Sequence, residues 1–175
     1  MIALLIRTSV ALVLTIGLLL LHLFFQYTLP YPLVTIDVFT IAAVVYIVSA
    51  ERGAVVWYGA IGYFLLEAIS GGTFGVYLLA GTLSILLGYW LHAYVVTNQV
   101  WHGVILVATV ITVSKFALLL ITSALLGEVL FPDVSRLFSF VGYSIVGASG
   151  ISLGLQWLMA KTPLYTTKRL YSTYE

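Results

Sequence analysis

SAERGAVVWYGAIGYFLLEAISGGTFG, residues 49–75, decides how the chain is read. Between the charged Glu51-Arg52 pair and the Gly71-Gly72 break runs an apolar segment of helix length, interrupted by a single acid, Glu67. A helix rises about 1.5 Å per residue. The segment is therefore long enough to approach the roughly 30 Å span of a bilayer's hydrocarbon core. An ionisable residue within such a run is expensive, and by default it marks function or a partner.

The rest of the chain repeats this pattern. Of its 175 residues, 62% are hydrophobic and 7% charged. Soluble domains carry about 25% charged residues. So little polar surface predicts an integral membrane protein, all-α, folded as a compact six-helix transmembrane bundle. The expected helices cover about 2–26, 33–50, 54–70, 76–94, 104–126 and 137–159, forming one domain over 1–160. A polar tail follows at 161–175. The first apolar run is too long for a signal-peptide core and lacks a cleavage site, so it reads as a retained helix. Short links between helices two, three and four make these antiparallel neighbours.

Lys and Arg set the orientation. With the N-terminus cytoplasmic, Arg7, Arg52, Lys161, Lys168 and Arg169 lie inside and Arg136 alone lies outside. Both termini are expected in the cytoplasm. Tyr27, Tyr31, Trp57, Tyr94, Trp101 and Trp157 then fall near helix ends, where interfacial aromatics belong.

Composition also excludes several function classes. The seven Lys/Arg are scattered, which argues against nucleic-acid binding. No cysteine is present, so there is no disulfide framework, thiolate metal site or cysteine nucleophile. No catalytic or metal-binding motif emerges, and neither a metal nor a cofactor is expected.

The candidates among the ionisable residues inside predicted spans are His22, Asp37, Glu67, His92 and Lys115. His22, Asp37 and Glu67 each lie about a turn from the outer end of their helix and so share one depth. Lys115 lies nearer mid-membrane, with a stem long enough to reach that layer. It could pair with either acid. Asp37 could instead cap helix two. His92 stands apart near the inner face. Small residues mark helix packing: Gly59 and Gly62 on helix three, Gly81, Ser84 and Gly88 on helix four, Gly147, Gly150 and Gly154 on helix six. These faces could alternatively form a groove for a partner's membrane helix.

Residues 37–94, about a third of the chain, resemble the central part of MreD, the rod shape-determining membrane protein family of bacteria. That family shows an Asp early in a helix, an Arg-Gly turn, a glycine-bearing helix ending in an acid, then Ser-Gly and a further Gly. Asp37, Arg52, Gly53, Gly59, Gly62, Glu67, Ser70, Gly71 and Gly75 take those places. The position of Glu67 is more usually Asp in the family. The resemblance implies a non-enzymatic scaffold of the cell-wall elongation machinery in the bacterial inner membrane. Its implied partners are the bitopic protein MreC, the actin-like MreB, the SEDS glycosyltransferase RodA and a class B penicillin-binding protein. Asp37, Glu67, Gly71 and Gly75 would then contribute to the surface that meets an MreC-like partner.

A second family of this size and helix number is the S component of energy-coupling-factor vitamin transporters, which capture ligand on the outer side. Its alanine-rich small-xxx-small first helix is missing here, where "ALVLTIGLLLLHLFF" is Leu-rich, and the outer loops are short for a lid.

Overall fold

The structure is a computed structural model. It describes residues 2–31, 36–50, 53–70, 75–95, 101–127 and 134–161. The described residues are all helical apart from caps and turns: α1 (Ile2–Thr28), α2 (Val38–Ala50), α3 (Ala54–Ser70), α4 (Val76–Tyr94), α5 (Trp101–Leu126) and α6 (Val134–Lys161). Among the described residues three segments are long and apolar enough to cross a membrane: α4, α5 and Phe138–Leu158 of α6. Gly71, Arg52 and the tail from residue 162 lie outside the described residues.

At α2 the structure departs most from expectation. The helix begins at Val38, not at 33, because Asp37 is its N-cap rather than a residue one turn inside it. The Asp37 carbonyl accepts the N–H of Ile41 at 3.1 Å, and its Oδ1 accepts the N–H of Phe39 at 2.9 Å. A side chain that caps its own helix ends the helix there. α3 and α4 have the expected limits, whereas α1, α5 and α6 run past theirs by a few residues. Hydropathy marks where a span meets polar surroundings, whereas backbone hydrogen bonding continues until a cap stops it. α5 stops at such a cap: Gly127 is left-handed, with φ 72°, and its N–H reaches back to the Ala124 carbonyl.

α2 packs against all five other helices. Its 13 residues are apolar on every side, and Val38, Phe39, Ile41, Ala43, Val44, Ile47 and Val48 are all buried. A helix apolar all round belongs in an interior. At about 1.5 Å per residue it is only about 20 Å long, so its capped end stops short of the bundle's rim. α3 lies beside α4, α4 beside α5, α5 beside α6, and α1 covers α2 and α3. Among the described residues α1 and α6 do not pack against each other.

Glycines set the spacing of this core. A Cβ on Gly59 would overlap Ile85, one on Gly62 would meet Phe39, and one on Gly88 would overlap Ile111. Gly81 takes the face of the Tyr63 ring, and Gly147 takes Ile36 with a Cβ contact of 2.9 Å. Ser84 is fully buried and donates to the Ala80 carbonyl in its own helix. Gly150 and Gly154 differ from the rest: both are exposed, and nothing within 4 Å faces them. They pack no helix of this chain, because α6 turns that face outward.

Two substitutions separate these roles. Gly81→Ala, which drives a methyl into a ring held at its far end, is expected to destabilise the bundle by about 1–3 kcal/mol. Gly150→Ala should change stability by less than about 0.5 kcal/mol. Thermal unfolding in detergent compares them directly.

Candidate functional site

Asp37 is the polar centre of the bundle. Its Oδ2 accepts the Thr40 hydroxyl at 2.9 Å, the Tyr63 hydroxyl at 2.6 Å and the Lys115 ammonium. Its Oδ1 holds the Phe39 N–H, and His22 Nδ1 stands 3.7 Å away. One carboxylate therefore gathers groups from α1, α2, α3 and α5.

The local sequence explains the arrangement. Capping turns the Asp37 side chain back over the first turn of α2, where Thr40 sits three residues on. Tyr63 lies one turn before Glu67 on α3 and is fully buried; its ring packs against Phe39 (centroids 5.5 Å apart), whose ring meets His22 at 5.6 Å. Gly81 lets Tyr63 lie flat against α4, which brings the hydroxyl to Asp37. Lys115 enters from α5, and its ammonium also stands 5.1 Å from the centre of the Tyr63 ring.

Isolated charges in so dry a place would be strongly disfavoured. The ion pair survives because both members are hydrogen-bonded and their charges cancel. Asp37 has each oxygen engaged, so it stays a permanent acceptor rather than a free base.

Of the two acids that Lys115 could have met, the structure selects Asp37. Glu67 is turned away into a joint of its own. Only 2% exposed, it accepts the N–H groups of Tyr77 and Leu78 at 3.0 and 3.2 Å. These are among the unpaired donors that open α4. The N-cap of α4 is Gly75, which is left-handed (φ 103°) and has no side chain to supply the cap. Glu67 supplies it from α3, and its negative charge suits the helix's positive end. Glu67 is thus neither Lys115's partner nor available at the surface. Asp37, which is Lys115's partner, is likewise not available at the surface, and Gly75 serves the turn itself. Gly71 lies outside the described residues. His92 is buried in the last turn of α4, away from this cluster.

Beside the ion pair lies a cavity of about 150 Å³. α1 lines it with His22 and Gln26, α2 with Ile36, Asp37 and Thr40, and α5 with Thr112, Lys115, Phe116 and Leu119. Phe140, Ser144 and Ala148 of α6 form the facing wall. The sequence reading passed over Tyr63, Thr40 and Thr112. Their only signal was spacing: Thr40 three residues after one acid, Tyr63 four before the other, Thr112 three before the lysine. Among the described residues no cluster of three or more His, Asp or Glu side chains is placed to hold a metal ion.

No family model matches the chain, and neither a curated protein nor a solved structure does.

Lys115→Ala leaves Asp37 charged and buried, and should destabilise the protein by about 3–5 kcal/mol. Asp37→Asn in a Lys115→Met background should recover most of that loss, as a double-mutant cycle on unfolding would measure. Separately, Glu67→Ala frees two buried N–H groups and should lose about 2–4 kcal/mol. Glu67→Gln, which keeps an acceptor, should lose less than half as much.

Proposed function

We propose that this chain is a non-enzymatic, MreD-like membrane scaffold. In this reading it crosses the bacterial inner membrane six times, with both termini in the cytoplasm. It holds cell-wall elongation components together and helps maintain rod shape. Its partners are an MreC-like bitopic protein, a RodA-type glycosyltransferase, a class B penicillin-binding protein and MreB.

One observation carries the reading. The described residues that make the MreD resemblance are construction joints of a single α2–α3–α4 unit. Asp37 binds Tyr63 and Lys115, Gly62 admits Phe39, Gly59 admits Ile85, Glu67 caps α4 and Gly75 turns into it. Such a motif specifies a shape rather than a reaction. The exposed apolar residues spread over the helices suit a bilayer surface, and the aromatics at Tyr27, Trp57, Tyr94, Trp101 and Trp157 are all exposed. The scaffold reading places a partner's membrane helix against the open α6 face at Gly150 and Gly154, where backbones can approach closely.

The cavity favours a second reading, the S component of a vitamin transporter, since it opens beside polar groups at the bundle's outer end. Its size speaks against that. Pockets for drug-sized ligands measure about 300–1,000 Å³, well above the 150 Å³ found here.

Purification from native membranes in mild detergent, followed by mass spectrometry, tests both readings. The scaffold predicts recovery of a single-pass MreC-like protein with cell-wall synthases, reduced by Gly150→Leu or Gly154→Leu without loss of the folded bundle. Recovery of two ATPases with a membrane coupling subunit would overturn it. Reporter fusions should place both termini inside; an external C-terminus would refute the six-span topology.

A further inference from the structure

We infer that the cavity beside Asp37 and Lys115 binds the uncharged, oxygen-bearing end of a small amphiphile, an alcohol or ester oxygen on a hydrocarbon body. The inference rests on the six-span reading but not on any protein partner.

The hydrogen-bonding inventory sets the chemistry. Both Asp37 oxygens are engaged, so the site has no free carboxylate to offer. What faces the cavity unused is mainly donor capacity. An ammonium carries three N–H groups, and the one protein acceptor that Lys115 shows is Asp37. The Thr112 hydroxyl and His22 Nδ1 are 3% and 5% exposed as residues and have no hydrogen-bond partner among the described residues. Gln26 adds an amide at the rim. Buried polar groups in native proteins find partners, from protein, water or ligand. Lys115 can only donate, while Thr112, Gln26 and the imidazole can donate or accept, so a hydroxyl or ester oxygen suits the pocket.

Charge narrows the class. Lys115 and Asp37 already cancel, so a carboxylate or phosphate would arrive without a counter-charge, in a place where unpaired charge is heavily penalised. The ligand's polar end is therefore neutral. Size narrows it again. The 150 Å³ holds about five waters at the ~30 Å³ each occupies in the liquid, or one benzene-sized group. Phe116 and Phe140, edge to face at 5.1 Å, and Leu119 offer an apolar wall to the carbon part.

The route in is lateral. α1 and α6 both line the cavity and do not pack on each other among the described residues. The rings of Tyr31 and Tyr143 meet edge to face at 5.8 Å and join the end of α1 to α6 there. On the six-span reading the stretch between the two helices that is not joined in this way faces lipid. The same chemistry could be drawn from the bilayer, as a long-chain alcohol or glyceride, or from water, as a short alcohol.

The test uses the full chain in vesicles of phosphatidylethanolamine and phosphatidylglycerol, with a long-chain alcohol carrying a diazirine beside its hydroxyl. Photolabelled residues are mapped by mass spectrometry. Labelling of outward residues such as Leu125 shows that the chain lies in the bilayer, independently of the cavity. The expected result is strong enrichment at Gln26, Phe140 and Ser144 over such positions. Thr112→Val, close to isosteric, should cut the enrichment about five- to tenfold, the loss of one hydrogen bond, with an unchanged thermal midpoint. Gln26→Leu, an exposed change, gives a second variant with the same expected direction. Protection by long-chain alcohol alone identifies the bilayer as source, and protection by benzyl alcohol as well identifies water. Even labelling of the cavity and the lipid-facing surface, or equal enrichment by the ionised carboxylic-acid probe, overturns the inference.

Discussion

A single buried carboxylate organises this bundle. Asp37 has to be surrounded, because a charge beside the core of an apolar bundle cannot be left without partners. Its partners come from four helices, and each fixes a neighbour. Lys115 commits α5 to the start of α2. Tyr63 commits α3, and it can do so only because Gly81 opens the surface of α4. His22 brings α1 within reach. Removing any one partner changes the hydration of all the others, so the group behaves as one unit rather than a sum of contacts. This also explains why the central helix is short. Its capped end must stop inside the bundle for Asp37 to reach groups arriving from both sides.

Glu67 solves a different problem with the same chemical group. α4 begins with a left-handed glycine, which makes a tight turn but brings no cap. The carboxylate from α3 takes up two of the orphaned N–H groups. Hydrogen bonds between helices thereby replace the local cap, and α3 and α4 are tied at one end while glycines let them close along their length. The Glu arm is long enough to reach two consecutive amides.

The two carboxylates thus serve construction, and the chemistry left over lies in the cavity beside them. Its polar groups face a small space lined by α1, α2, α5 and α6, and among the described residues α1 packs against neither α5 nor α6. A structural ion pair and a place for a small neutral molecule are compatible, since the pair's neutrality is what keeps the pocket selective. The outward glycines of α6 belong to a separate surface, suited to close approach by another helix.

Much of this was legible in the residues. Composition alone determined an all-helical, strongly apolar chain, and the polar interruptions marked His22, Asp37, Glu67 and Lys115. The lengths of the apolar runs and the glycine and charge breaks between them placed the helices, since these act locally. Three matters were decided only by the tertiary structure. Lys115 could reach either acid by depth; which one it meets depends on how α2, α3 and α5 are rotated about their axes, and apolar residues on all sides leave that rotation unspecified in sequence. The seven glycines and one serine read as packing residues look alike in the chain, yet Gly147 faces Ile36 while Gly150 and Gly154, further along the same helix, face outward. Tyr63, an ordinary aromatic in an aromatic-rich helix, became the link between the ion pair and α4 because Gly81, eighteen residues away, leaves room for its ring. Local sequence sets where helices begin and end, but the contacts between helices are set by which faces pack together, and that is a property of the whole bundle.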